Sequence, residues 1–130
     1  MTFLDSSAII DMLEGVDATV AVIQSRDDQL LTSSICVYEV LDGVLGTGST
    51  DIGAERQRFG GVRAIELTGD LAVEATRLQD ELLADGVRMA ARDCLIAATA
   101  RSTGDHLVVA DADFQTDALE SKIDVTNLRD

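Results

Sequence analysis

The chain has 130 residues, 46 % of them hydrophobic, and carries 24 acidic against 10 basic side chains for a formal net charge of −14. This length predicts a single domain, residues 1–130, large enough to bury a core without disulfides or structural metals. No apolar run approaches the roughly 20 residues of a membrane span. The N-terminus has no basic region ahead of Asp5, which predicts a cytoplasmic protein without a signal peptide.

The predicted elements of the N-terminal half alternate between strands and helices. A helix capped by Ser6 or Ser7 ends near Gly15, and Ser34 is predicted to cap a later helix. The predicted strands are Thr2–Asp5 and Gln29–Thr32, and the predicted helices are Ser6–Glu14, Asp17–Arg26 and Ser34–Leu45.

The C-terminal half continues the alternation. Residues 107–110 form an apolar run typical of a parallel strand buried on both faces. The predicted helices are Asp51–Phe59, Asp70–Ala84 and Ala90–Ser102; the predicted strands are Val62–Leu67, Leu107–Ala110 and an edge strand at Ile123–Val125. Together the elements predict an α/β fold, a three-layer α/β/α arrangement with a central parallel sheet.

Four carboxylates stand at the margins of predicted core segments. Asp5 and Asp111 each follow a predicted strand, whereas Glu39 and Asp93 lie early in predicted helices. Ligands of open α/β sheets bind outside the carboxyl ends of the strands, so these side chains are expected to meet in one crevice if the two strands are neighbours. Four carboxylates would repel one another without a cation, and their oxygen atoms suit Mg²⁺ or Mn²⁺.

Each of these residues also has a structural interpretation. Asp5 could cap a helix, Glu39 could be solvated, Asp93 could pair with Arg92 or Arg88, and Asp111 and Asp113 could begin turns. Other residues are given structural interpretations: solvated acids (Asp11, Asp42, Asp80, Glu81), a loop histidine without a catalytic role (His106) and buried free thiols (Cys36, Cys94). Arg88, Arg92 and Arg101 could contact nucleic-acid phosphates, but ion pairs with the acidic surface are the favoured interpretation.

Four segments resemble the four motifs of PIN-domain nucleases, and in particular of the VapC-type toxins of toxin–antitoxin pairs. They appear in that family's order and spacing and span nearly the whole chain. The segments are Phe3-Leu4-Asp5-Ser6-Ser7-Ala8-Ile9-Ile10, Tyr38-Glu39-Val40-Leu41, Ala91-Arg92-Asp93-Cys94-Leu95-Ile96-Ala97-Ala98-Thr99-Ala100 and Leu107-Val108-Val109-Ala110-Asp111-Ala112-Asp113-Phe114.

The resemblance implies an endoribonuclease dependent on Mg²⁺ or Mn²⁺ that leaves a 5′-phosphate and a 3′-hydroxyl. Asp5, Glu39, Asp93 and Asp111 match the family's acidic metal-binding set, and Asp113 matches an additional acidic position. Ser6 matches a hydroxyl residue that could hold the first carboxylate or a metal-bound water, whereas Ala110 departs from the Ser or Thr of many relatives. The implied partners are an RNA substrate, a cognate antitoxin that covers the site and a second copy of the chain, with no membrane.

Other functions remain open at this point. The fold could be a catalytically silent binding module, or a nuclease that processes RNA without acting as a toxin. A receiver-like phosphoacceptor domain is disfavoured because the only lysine, Lys122, precedes the final short run. The net charge and the single lysine predict a halophilic protein, since salt at 1 M shortens the Debye length to about 3 Å; an ordinary acidic protein is the alternative.

Overall fold

The computed structural model describes residues 1–26, 28–104, 106–110 and 117–128. Their strands are β1 (Thr2–Leu4), β2 (Leu30–Ser33), β3 (Val62–Ile65), β4 (His106–Val109) and β5 (Val125–Asn127). Their helices are α1 (Ser6–Glu14), α2 (Asp17–Arg26), α3 (Ser34–Asp42), α4 (Ile52–Gln57), α5 (Gly69–Ala84), α6 (Ala91–Thr103) and α7 (Asp117–Glu120).

The five strands form one parallel sheet in the order β3-β2-β1-β4-β5. The chain builds outward from β1 to β3 and then returns past β1 to β4, so the order reverses between β1 and β4. Phe3 pairs with Leu107, and Leu4 with Val108. The condition for a shared crevice, that these two strands are neighbours, is therefore met, and a crevice at such a reversal is where α/β proteins bind ligands.

Helices cover both faces of the sheet because parallel crossovers are right-handed and the direction of winding reverses at β1. Phe3 and Leu107 pack with the apolar faces of α5 and α6, whereas Leu4 and Val108 pack with α1 on the other side. Alternate residues of each central strand thus enter opposite cores, as a strand buried on both faces requires. The three-layer α/β/α prediction is confirmed.

The starts of two helices differ from the predicted caps. Asp5, rather than Ser6 or Ser7, caps α1, and its carboxylate accepts a hydrogen bond from the backbone N–H of Ala8. Ser33, rather than Ser34, caps α3, where its hydroxyl accepts from Cys36. In both cases the helix begins directly at the end of a strand, so the last extended residue takes the capping position.

The ends of several elements also shift. α3 ends at Asp42 rather than Leu45, because the chain leaves the helix at Gly43. The last strand begins at Val125, since Ile123 donates its N–H to Leu119 at the end of α7 and buries its side chain in the core. α7, which the sequence reading missed, is only four residues long. Gly15 ends α1 as predicted, with a left-handed φ of 72°.

Both cysteines are buried free thiols, as predicted: neither Cys36 nor Cys94 is in a disulfide. No helix among the described residues is long and apolar enough to cross a membrane.

Asp11 contradicts its assignment as a solvated acid. It is 4 % exposed, and Thr19 of α2 donates a hydrogen bond to its carboxylate at 3.0 Å. Its backbone oxygen accepts from Val16 in the turn between α1 and α2. A helix pattern shows which face is apolar but not that a second helix folds over an acid, so only tertiary packing reveals this contact.

We therefore expect Thr19→Val to destabilise the protein by about 1–3 kcal/mol, because a buried carboxylate loses a hydrogen-bond donor without a change in side-chain volume. Urea denaturation measures the loss. Thr76→Val is the matched control, since Thr76 is exposed on α5 and donates only within its own helix; its effect should stay within about 0.5 kcal/mol. Equal effects of the two substitutions would contradict a structural role for the Asp11–Thr19 bond.

Candidate active site

The reversal point of the sheet places Asp5 in the crevice between β1 and β4. Asp5 is 2 % exposed and follows β1 directly. Its N–H donates to Val108 of β4, and its backbone oxygen accepts from Ile9. The residue that carries this carboxylate is therefore fixed by backbone bonds to both β4 and α1.

Ser7 is a residue of this site that the sequence reading missed. Its hydroxyl lies 2.7 and 2.8 Å from the two carboxylate oxygens of Asp5, to which it donates, and it accepts from the backbone N–H of Ala110 at 2.9 Å. One side chain thus joins the first carboxylate to the end of β4. The Asp-Ser-Ser sequence signals a hydroxyl near the acid, but only strand pairing shows which serine faces β4.

Ser6, which the resemblance had placed beside the first aspartate, points to a different carboxylate. Its hydroxyl donates to Oε1 of Glu39 at 3.3 Å. Glu39 lies in the second turn of α3, which begins where β2 ends, and its side chain is 17 % exposed. The start of α1 and the middle of α3 are therefore linked by a side-chain hydrogen bond.

Asp93 lies in the first turn of α6 and is 5 % exposed. α6 runs for 13 residues, about 20 Å, and leads into β4, so its first turn lies at the carboxyl edge of the sheet while its last turn lies at the amino edge. Ala90, at the N-cap, makes no side-chain cap, so the negative charge of Asp93 also complements the positive end of the helix dipole.

Arg92 connects two of these carboxylates. Its Nη1 lies 2.6 Å from Oε2 of Glu39, and its Nη2 lies 3.3 Å from Oδ1 of Asp93. The structural alternative for Asp93, an ion pair with Arg92, is therefore present, and Arg92 also pairs with Glu39. The side chain of Arg92 is 56 % exposed, which places it at the outer rim of the crevice.

The structure thus links Glu39 to Asp93 through Arg92, and links Glu39 to Ser6, the residue that follows Asp5. Asp111 and Asp113 lie outside the described residues, although Ala110, which precedes Asp111 in the chain, bonds to Ser7. Among the residues that the structure describes, no three acidic, histidine or cysteine side chains are gathered tightly enough to hold one metal ion. The donor chemistry nevertheless fits Mg²⁺ or Mn²⁺, because every candidate ligand is a carboxylate.

The thiol of Cys36 lies close enough to the crevice for the negative charges there to affect its pKa. Burial raises its pKa, and the charges of Asp5 and Glu39 raise it further, against the hydroxyl groups of Ser33 and Thr32, which lower it. A raised thiol pKa keeps Cys36 protonated near neutral pH, so it does not supply a nucleophilic thiolate.

Residues outside the crevice take mostly structural positions. His106 begins β4 rather than lying in a loop, and it hydrogen-bonds to Thr126 of β5. It lies at the opposite end of the strand from Ala110, and burial lowers the pKa of its imidazole. Arg101 pairs with Glu81 at 2.8 Å as predicted. Asp42, Asp80 and Glu81 are exposed, also as predicted.

A family model described as PIN domain matches residues 2–118. This chain belongs to the PIN-domain family. Its match covers every described residue of the PIN-domain crevice, from Asp5 to Ala110.

Solved structures share the fold of this PIN domain over nearly its whole length. A toxin–antitoxin complex from Klebsiella pneumoniae is 19 % identical, with 100 % of this chain and 99 % of that chain covered and a TM-score of 0.77. FitAcB from Neisseria gonorrhoeae is 24 % identical, with 98 % of each chain covered and a TM-score of 0.73. VapC20 from Mycobacterium tuberculosis, described as a toxin that cleaves the sarcin–ricin loop, is 16 % identical, with 95 % and 96 % covered and a TM-score of 0.62. Curated proteins give no match.

Proposed function

We propose that this PIN domain is a metal-dependent endoribonuclease, the toxin of a VapBC-type toxin–antitoxin pair. The observation that carries the proposal is a linked pair of carboxylates beside the reversal point of the sheet: Arg92 bridges Glu39 and Asp93, and Ser6, the residue after Asp5, donates to Glu39. Membership of the PIN-domain family and the toxin–antitoxin systems among its structural neighbours support it. VapC20, which shares the fold, supports RNA as the substrate class.

The proposed metal ligands are Asp5, Glu39, Asp93 and Asp111, with Asp113 as a further acidic group. A bound Mg²⁺ or Mn²⁺ would supply positive charge that stabilises the phosphate as its negative charge grows during hydrolysis. The chain's own contribution is orientation. Asp5 is fixed by Ala8 and Ser7, while Glu39 is positioned by Ser6.

The charge of the protein shapes how RNA would bind. A net charge of −14 repels a polyanion, so affinity has to come from the site itself, through metal charge and local arginines. Concentrated salt would screen this repulsion. A halophilic protein, as proposed here, would meet such salt in its cytoplasm.

The proposed partners follow the structural neighbours. Several of them are toxin–antitoxin assemblies, and three are described as bound to DNA. For this chain we propose a cognate antitoxin that covers the acidic crevice with a basic residue, and a homodimer of the toxin. A guanidinium placed among carboxylates satisfies their charge in the same way as a metal ion does.

We expect cleavage of a mixed RNA pool by the purified chain to stop when EDTA removes divalent ions and to return when Mg²⁺ or Mn²⁺ is added in excess. Gel electrophoresis of end-labelled RNA, in dilute and in concentrated KCl, measures the activity. Asp80→Asn is the control, because Asp80 is exposed on α5 and outside the crevice; it should cleave like the unmodified chain.

Cleavage that resists EDTA would overturn the metal-dependent mechanism. Measured Mn²⁺ binding without cleavage of any RNA would favour the catalytically silent binding module instead. Cleavage confined to one precursor transcript, with no growth arrest on expression, would favour an RNA-processing nuclease that is not a toxin.

A further inference from the structure

Arg92 is the cation that the structure places among the proposed metal ligands, and the inference drawn from it rests on the proposed function. Its two terminal nitrogens contact different acids, Glu39 on α3 and Asp93 on α6. Its fork geometry suits such a bridge, because a guanidinium presents parallel donors that a lysine does not.

Both oxygens of Glu39 are already engaged. Oε1 accepts from Ser6 at 3.3 Å, and Oε2 accepts from Arg92 at 2.6 Å. A divalent cation held by Glu39 and Asp93 would therefore lie near the guanidinium of Arg92, and like charges at such distances repel. Metal loading and the Arg92 bridge compete.

The bridge is built to be reversible. Asp93 is buried, and a buried carboxylate is costly without a countercharge, so some cation has to be present. Arg92, however, is 56 % exposed, and an ion pair whose guanidinium reaches water is held only weakly. The carboxylates of Glu39 and Asp93 therefore require a positive charge nearby, but that charge need not come from Arg92.

A displaced Arg92 stays at the rim of the crevice, since its backbone is fixed in the first turn of α6. Its guanidinium can then donate two parallel hydrogen bonds to a phosphate of the incoming RNA. In a chain with 24 acidic and 10 basic residues, such a local cation is valuable for binding a polyanion.

We propose that Arg92 is an exchangeable countercharge: it holds Glu39 and Asp93 before the divalent cation binds, and it turns to the RNA phosphate after the cation has displaced it. Arg92 is thus a positioning residue for the carboxylates in the metal-free protein and a substrate-binding residue in the loaded one. Removal of the Arg92 charge should therefore strengthen binding of the divalent cation and weaken binding of RNA in the same variant.

The test compares Arg92→Gln with Arg101→Gln, a control with the same charge change on the same helix, whose partner Glu81 lies outside the crevice. Mn²⁺ binding is measured by calorimetry and by the loss of the free-ion electron paramagnetic resonance signal. We expect Arg92→Gln to bind Mn²⁺ up to about tenfold more tightly, because the competing charge is gone. Arg101→Gln should bind it within about twofold of the unmodified chain.

Steady-state cleavage supplies the second readout. At saturating Mn²⁺, Arg92→Gln should raise the KM for RNA several-fold while kcat changes less. Arg92→Lys, which keeps the charge but not the fork, should restore ordinary Mn²⁺ affinity and recover KM only in part. A general structural defect would not move metal affinity and RNA affinity in opposite directions.

The outcomes separate the inference from the proposed function. Equal or weaker Mn²⁺ binding by Arg92→Gln overturns the exchange, while cleavage by the unmodified chain leaves the nuclease proposal intact. Absence of Mn²⁺ binding in every protein, including the unmodified chain, overturns the metal site itself. Should Arg92→Gln unfold without metal, its melting temperature as a function of Mn²⁺ concentration still reports the affinity.

Discussion

Asp93→Asn is expected to abolish RNA cleavage, with a loss well beyond 100-fold, while the protein stays folded. Loss of a group that only supports a metal ligand costs about 10–100-fold, so loss of a direct ligand should exceed that range. Asparagine has the same shape as aspartate and can still fill the space at the start of α6. Single-turnover cleavage of end-labelled RNA with excess protein measures the loss, and circular dichroism measures folding.

The expected contrast is between a charge in the crevice and a charge on the surface. Asp80→Asn removes the same charge from an exposed position on α5 and should leave cleavage unchanged. Asp93→Asn that cleaves within a factor of a few of the unmodified chain would remove Asp93 from the proposed ligand set. Mn²⁺ titration of the same variant then decides whether the remaining acids hold the ion without it.

Ser7→Ala is expected to lower both stability and cleavage. The substitution removes the donor to a carboxylate that is 2 % exposed and the acceptor for the N–H of Ala110. A buried polar group left without its partner costs about 1–3 kcal/mol in the free energy of unfolding. Because Ser7 orients a proposed ligand without being one, cleavage should fall by about 10–100-fold.

Ser6→Ala is the matched comparison for this prediction. It deletes the same hydroxyl one residue earlier, where the bond to Glu39 is long, at 3.3 Å, and where Arg92 also holds the acid. Its effects on urea denaturation and on cleavage should both be smaller than those of Ser7→Ala. A reversed ranking of the two serines would contradict the assignment of Ser7 as the link between β1 and β4.

Most of the fold could be predicted because its signals are local. The strands before Asp5 and after His106 appear in the sequence as apolar runs, and Gly15 and Gly104 end their helices in the left-handed conformation that glycine favours. The sequence alone does not predict that β1 and β4 are neighbours, because strand order is a property of the whole chain. The structure shows that they are.

The remaining features depend on tertiary contacts that no local pattern contains. Ser6 and Ser7 are chemically identical, and their different partners follow from the position of β4 and α3 around α1. Asp11 looks like a solvated acid until α2 folds over it. The metal-ligand role of Asp5, Glu39 and Asp93 stays a prediction, because the described residues show the bonds that position these carboxylates but no three acids close enough to hold an ion.

The hydrogen bond between Ser7 and Ala110 joins residues 103 positions apart. Ser7 is therefore synthesised well before Ala110, and the strand that closes the crevice beside Asp5 is made later still than β1 and α1. Chains grow at about 5–20 residues per second, so several seconds separate the synthesis of the two residues. A translation product that stops before β4 therefore carries Asp5 without its neighbouring strand, and the candidate site is complete only after β4 has paired with β1.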